Sequence, residues 1–100
     1  MSAAATARVP TAHASRYLQQ LCKHWSHNLA VTFTPEEGRV DFAPRAQAVA
    51  TMTATPEALT VRVEAPDDEA LTRMTGVVAD HLDRFAFREA PLPFDWRREG

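Results

Sequence analysis

The chain has 100 residues, 45% of them hydrophobic and 24% charged, with 3 Gly, 7 Pro and 1 Cys. That is enough chain for one domain around one core, and too little for separate catalytic and binding domains. A net charge of −2 excludes the cationic excess of a nucleic-acid binder, the lone cysteine excludes an internal disulfide, and no apolar run approaches the ~20 residues of a membrane span.

The opening MSAAATARVP lacks the apolar core of a secretory signal, so a cytoplasmic protein with no membrane or nucleic-acid partner is expected. Residues 1–5 are small and predicted to be disordered. Thr6–Val9 predicts a short strand ended by Pro10. Ala14, Leu18, Leu21, Cys22 and Trp25 then recur at three- and four-residue spacing, with Tyr17 at the margin, which predicts an amphipathic helix over 13–28 capped by Thr11 or His13. Leu29, Val31 and Phe33 alternate with Ala30, Thr32 and Thr34. Pro35-Glu36-Glu37-Gly38 is turn chemistry, and Val40 and Phe42 resume the apolar face, so a hairpin is expected. Ala46–Ala54 reads as a further strand of the same meander, and Leu59, Val61 and Val63 as another. Pro66 and the acids that follow suit a helix start. Leu71, Met74, Val78, Leu82 and Phe85 mark its apolar stripe to about residue 88, where Pro91 and Pro93 stop it.

The expected fold is α+β: a two-layer domain, residues 1–100, of order β-α-β-β-β-β-α. An antiparallel sheet has one polar, wet face and both helices on the other. Residues 90–100 form a polar tail in which Phe94 and Trp96 could fold back. The order resembles half of the TATA-binding-protein-like architecture, a likeness of topology that carries no function.

The densest chemistry lies in CKHWSH, residues 22–27. At about 100° per residue, Cys22 sits about 160° from His24 and about 140° from His27, so the three cannot hold one ion from a regular helix. The thiol faces the core with Leu18, Leu21 and Trp25. His24 and His27 lie about 60° apart and could share a metal if a third ligand such as His81 joined them. His81 falls beside Met74, Val78 and Phe85, where a histidine is either satisfied in the core or lines a pocket between the helices. Arg84 and Arg88 follow on the same flank and would suit a carboxylate, phosphate or catecholate oxygen. The competing expectation is an Asp80–Arg84 ion pair at i,i+4. No glycine-rich phosphate loop, Cys-x-x-Cys or Gly-x-Ser-x-Gly elbow is present, and no carboxylate pair is placed for acid–base work, so catalysis has no support in the sequence.

Two stretches, ASRYLQQLCKHWSHN (14–28) and VVADHLDRFAFRE (77–89), followed by FDW (94–96) and preceded by ARV (7–9), resemble the bacterial family of domains of unknown function DUF2218. The resemblance rests on Tyr17, Leu18, Leu21, His24, Trp25, His81, Leu82, Arg84, Phe85, Phe87, Arg88 and Trp96. Members of that family stand alone or occur beside or fused to siderophore-interacting flavin reductases. The resemblance therefore implies an accessory role in bacterial iron handling. It brings no assigned catalytic residues, and strands 46–63 match only in pattern.

The expected function is thus a non-catalytic binding domain in siderophore or iron metabolism. Tyr17, His24, Trp25, His81, Arg84 and Arg88 would frame an anion or chelate pocket at the helix–helix seam. No cofactor is expected, unless an iron chelate or a metal. The expected partners are a siderophore-related small molecule or a siderophore-interacting reductase. The alternatives are a small metal-dependent enzyme using His24, His27 and His81, and an interaction module. The latter would be a homodimer joined through a sheet edge or the Phe87–Trp96 segment.

Overall fold

The computed structural model describes residues 2–99. In chain order it contains β1 (Ala3–Pro10), α1 (Ala14–Ser26), β2 (Ala30–Phe33), β3 (Glu37–Asp41), β4 (Val49–Ala54), β5 (Ala58–Ala65), α2 (Asp68–Phe85) and β6 (Arg97–Arg98). The strands form one sheet of order β2-β3-β4-β5-β1-β6, with every pair antiparallel. The fold is α+β, as expected, with one short strand added at the end.

The period-2 pattern does what a half-covered sheet requires. Val9, Val40, Ala50, Met52, Leu59, Val61 and Val63 are buried against the helices. Their alternating neighbours Thr32, Arg39, Thr53 and Arg8 are exposed on the other face, and Thr60, Arg62 and Glu64 are partly so. The register pairs like with like: Ala50 faces Val63 and Met52 faces Val61. From the helices, Leu18, Leu21, Cys22, Leu71, Val78 and Leu82 close the core. Each fully buried Leu or Val contributes about 1.5–3 kcal/mol, so the core rather than helix propensity holds α1 and α2 in place.

Several boundaries move, each for a physical reason. Ala3–Ala5 are ordered, not disordered, because all three pair with β5 at Ala65, Glu64 and Val63. Residue 1 lies outside the described residues. Gly38 is not a turn residue: the turn between β2 and β3 is closed by the Thr34 hydroxyl, which accepts from the Glu36 and Glu37 N–H groups. Gly38 sits within β3, under α1, where an added Cβ would meet Cys22 Sγ at 2.8 Å and Leu18 Cδ2 at 3.2 Å. Its bare backbone allows α1 to approach the sheet. Between β3 and β4, residues 42–48 form a loop rather than the start of a strand, pinned by the Phe42 N–H donating to Ala48 O at 2.9 Å.

α2 starts as its sequence predicts, with Asp67 as N-cap accepting from the Ala70 N–H at 2.8 Å. It ends earlier than predicted. Ala86 is the C-cap, and the chain then turns so that Glu89 N–H donates back to Ala86 O. The tail is not a free polar segment. Leu92 is buried, and its N–H donates to Asp83 Oδ1 at 2.9 Å. Phe94 and Trp96 stack at 5.7 Å with an interplanar angle of 8°. Arg97 and Arg98 pair with Thr6 and Ala5, covering the edge of β1 with charged residues.

Candidate functional site

The two helices follow antiparallel neighbours β1 and β5, so they run antiparallel to each other over the sheet. This brings the C-terminal end of α1 against the second half of α2, at His81 and Phe85. A chain of rings forms there. Phe42, just past β3, meets Trp25 edge-on at 4.9 Å. Trp25 meets His81 at 5.0 Å, His81 meets His24 at 5.7 Å, and His24 meets Phe85 at 5.8 Å. A cavity of about 530 Å³ opens beside these rings, lined by the α1 end, α2 and the β3–β4 loop. Its floor is apolar, with Trp25, Phe42 and Met74 buried and Leu29 and Val77 half-buried. Its rim carries His24, Asn28, Arg45, Arg73 and His81.

Among the described residues no carboxylate lines this cavity. Among the described residues neither Arg45 nor Arg73 enters an ion pair; those present join Arg62 to Glu64 and Glu99, Arg97 to Asp95, and Arg98 to Asp68. The mouth is therefore electropositive above an aromatic floor. That arrangement attracts a small anion with an apolar body. His81 Nδ1 lies 2.7 Å from Val77 O. A carbonyl only accepts, so Nδ1 carries a proton, and in the neutral tautomer with that proton Nε2 is the acceptor.

The sequence-predicted residues divide among three surroundings. His24, Trp25 and His81 share the seam cavity. Tyr17 and Arg88 line a separate concavity of about 170 Å³ with Arg16, Gln20, Phe85 and Phe87. Arg84 is exposed and lines neither. The predicted flank of His81, Arg84 and Arg88 fails because α2 stops at Phe85, so helical spacing no longer applies to Arg88. Arg84 does not pair with Asp80 either, and the Arg88 guanidinium sits over the Phe87 ring at 5.7 Å. Tyr17 is taken up by structure: its hydroxyl donates to the Glu89 carboxylate, which also accepts from Thr11 Oγ1 at 3.0 and 3.1 Å. Burial, followed by this bond to Glu89, pushes the Tyr17 hydroxyl above its ordinary pKa.

His27 is the exposed C-cap of α1 and does not line the seam cavity. Among the described residues no three His, Cys, Asp or Glu side chains converge in a way that could hold a metal ion. Cys22 is buried, and burial raises its thiol to about 11. No helix among the described residues is long and apolar enough to cross a membrane.

The residues missed from sequence are Phe42, Arg45, Arg73 and Met74. Three carried a signal. Arg73, Val77 and His81 stand at four-residue intervals and share a flank of α2, on the N-terminal side of His81. Phe42 and Met74 were predicted as core without their cavity-facing edges. Arg45 carried none, because only the fold of the β3–β4 loop brings it to α1 and α2. A trough of about 410 Å³ on the open sheet face, between Thr32, Glu37, Arg39 and Thr51, lacks both the ring wall and the single sign of charge.

The chain matches over residues 6–97 a family model described as an uncharacterized protein conserved in bacteria, DUF2218. It is similar to the NMR structure of PA4090 from Pseudomonas aeruginosa, with 34% identity, a TM-score of 0.73, and coverage of 96% of this chain and 94% of that one. No curated protein matches it at a significant level. The family model spans both helices and all six strands in full or in part, including every ring and arginine of the seam cavity, and the chain belongs to the DUF2218 family of uncharacterised bacterial proteins.

Proposed function

We propose that this domain is a non-catalytic binding protein for a small aromatic or chelate anion, acting in bacterial iron or siderophore metabolism. The observation that carries the binding reading is the cavity of about 530 Å³, with aromatic walls, two imidazoles, two arginines and, among the described residues, no carboxylate. It falls within the ~300–1,000 Å³ of small-molecule sites. His24, Trp25 and His81 remain in the proposed site and are joined by Phe42, Arg45 and Arg73. Tyr17, Arg84 and Arg88 leave it. The iron setting rests on what the family resemblance implies, that members stand alone or occur beside or fused to siderophore-interacting reductases. A catecholate ring, planar and anionic, suits such a lining.

The test is titration of the chain with ferric catecholate and hydroxamate chelates and with haem, alongside His81→Ala and Arg73→Gln. Saturable binding of one of them, weakened by both variants, supports the reading. No binding, or binding indifferent to both variants, overturns it.

One observation favours a second reading, an interaction surface. Phe87 is 71% exposed, the one large apolar side chain left so among the described residues, and Arg88 lies over it. Light scattering of the chain and of Phe87→Ser tests this. A dimer lost in the variant would support it, and a monomer with no partner recovered would remove it.

A further inference from the structure

We infer that the seam cavity is built for a hydroxylated aromatic acid, a ring carrying both a carboxylate and a hydroxyl. This deepens the binding reading above and rests on the same cavity being a ligand site. Three observations specify three parts of the ligand. First, rings line the cavity: Trp25 contacts Phe42 at 4.9 Å and His81 at 5.0 Å, and all three are in its lining. Flat aromatic matter packs on such a surface in offset or edge-on contact. Second, Arg45 from the β3–β4 loop and Arg73 from α2 stand on the rim without ion-pair partners among the described residues. Guanidinium forks match a carboxylate.

Third, the hydrogen bond from His81 Nδ1 to Val77 O at 2.7 Å leaves Nε2 as an acceptor that no protein group takes among the described residues. A ligand that displaces water from this ring must bring a donor, or it leaves the nitrogen unpaired. A hydroxyl on the aromatic ring supplies it. A fatty acid would satisfy the arginines but neither the rings nor Nε2. A neutral phenol would satisfy Nε2 and leave the arginines unused. The hydroxyaryl acid satisfies all three.

The experiment compares 3-hydroxybenzoate, benzoate and cyclohexanecarboxylate on the full chain. Binding is followed by the indole N–H of Trp25 in two-dimensional NMR spectra. The expected order of affinity is 3-hydroxybenzoate, then benzoate, then cyclohexanecarboxylate, with the hydroxyl worth about fivefold, the scale of one hydrogen bond. In His81→Phe the hydroxyl preference should vanish, with 3-hydroxybenzoate and benzoate binding alike. Arg45→Gln with Arg73→Gln should weaken all three about tenfold. Equal affinity for 3-hydroxybenzoate and benzoate on the unaltered chain overturns the inference, as does a hydroxyl preference that survives in His81→Phe. Ferric chelates that bind while the hydroxyl counts for nothing would leave the iron-binding reading standing and this inference overturned. Hydroxybenzoate binding without chelate binding would do the reverse.

Discussion

The hydroxyl of Tyr17 donates to the carboxylate of Glu89, 72 positions further along the chain. Thr11, buried beside them, donates to the same carboxylate and accepts from the His13 N–H at 3.1 Å. One acidic group, brought round by the turn after α2, thus satisfies two buried hydroxyls at the start of α1 and ties the ends of the chain together. Removing it should cost more than removing one donor. Tyr17→Phe is expected to lower stability by about 1 kcal/mol. Glu89→Ala should lower it by about 1–3 kcal/mol, because it strands both hydroxyls. Urea denaturation of the two single variants and the double variant checks this, with the double falling short of the sum.

The same contact predicts a pH profile. Glu89 is held below its ordinary 4.5, chiefly by the Tyr17 hydroxyl and then by Thr11 and the charge of His13. Its stabilisation is complete above that ordinary value and is lost as pH falls through the lower folded one. Glu99, held down by Arg62 and then Thr6, acts in the same acidic window. Tyr17 lies above its ordinary 10.0, so its contribution is complete below 10.0 and is lost as pH rises past the folded value. Stability measured from pH 2 to 11 should therefore fall at both ends. Glu89→Gln should flatten the acid limb without abolishing it, since Glu99 remains.

Gly38 predicts a coupled pair. In Gly38→Ala the new Cβ would lie 2.8 Å from Cys22 Sγ, and overpacking of this kind costs about 1–3 kcal/mol. Cys22→Ala should cost less by itself and should restore part of the loss when combined with Gly38→Ala. Denaturant midpoints of the four proteins give the coupling. Strict additivity would mean that α1 shifts bodily and the contact does not decide the cost.

The thiol itself should be silent in the native state. Cys22 is fully buried and its pKa is raised to about 11, so thiolate is scarce at neutral pH. Alkylation by iodoacetamide at pH 7.5 should follow the rate of unfolding, rising with added urea. Fast modification of the native chain would contradict the packing of α1 on β3.

Asp67→Ala removes the acceptor for the Ala70 N–H at the start of α2. About 1 kcal/mol should be lost, and Asp67→Asn should recover most of it.

Periodicity made the architecture legible. The three- and four-residue recurrence of Leu18, Leu21, Cys22 and Trp25, and the alternation of Leu59, Val61 and Val63, report how much of each element must leave water, and burial in the structure follows them. The same geometry dissolved the Cys22–His24–His27 cluster, with the thiol in the core and both imidazoles outside it. Sequence also placed His24, Trp25 and His81 near one another, because both helices must cover the same sheet face.

Local patterns could not say where helical spacing stops applying. Arg88 left the flank of His81 when Glu89 was drawn to Tyr17 and Thr11, a contact between distant parts of the chain. Ala3–Ala5 became a strand because β5 supplied partners, not because three alanines favour one. Arg45 reached the cavity through the path of a loop. From sequence alone came which residues avoid water and which face each element turns inward, since those depend on spacing along the chain. Tertiary structure alone decided which cations meet which rings, since that depends on where independent elements come to rest against one another.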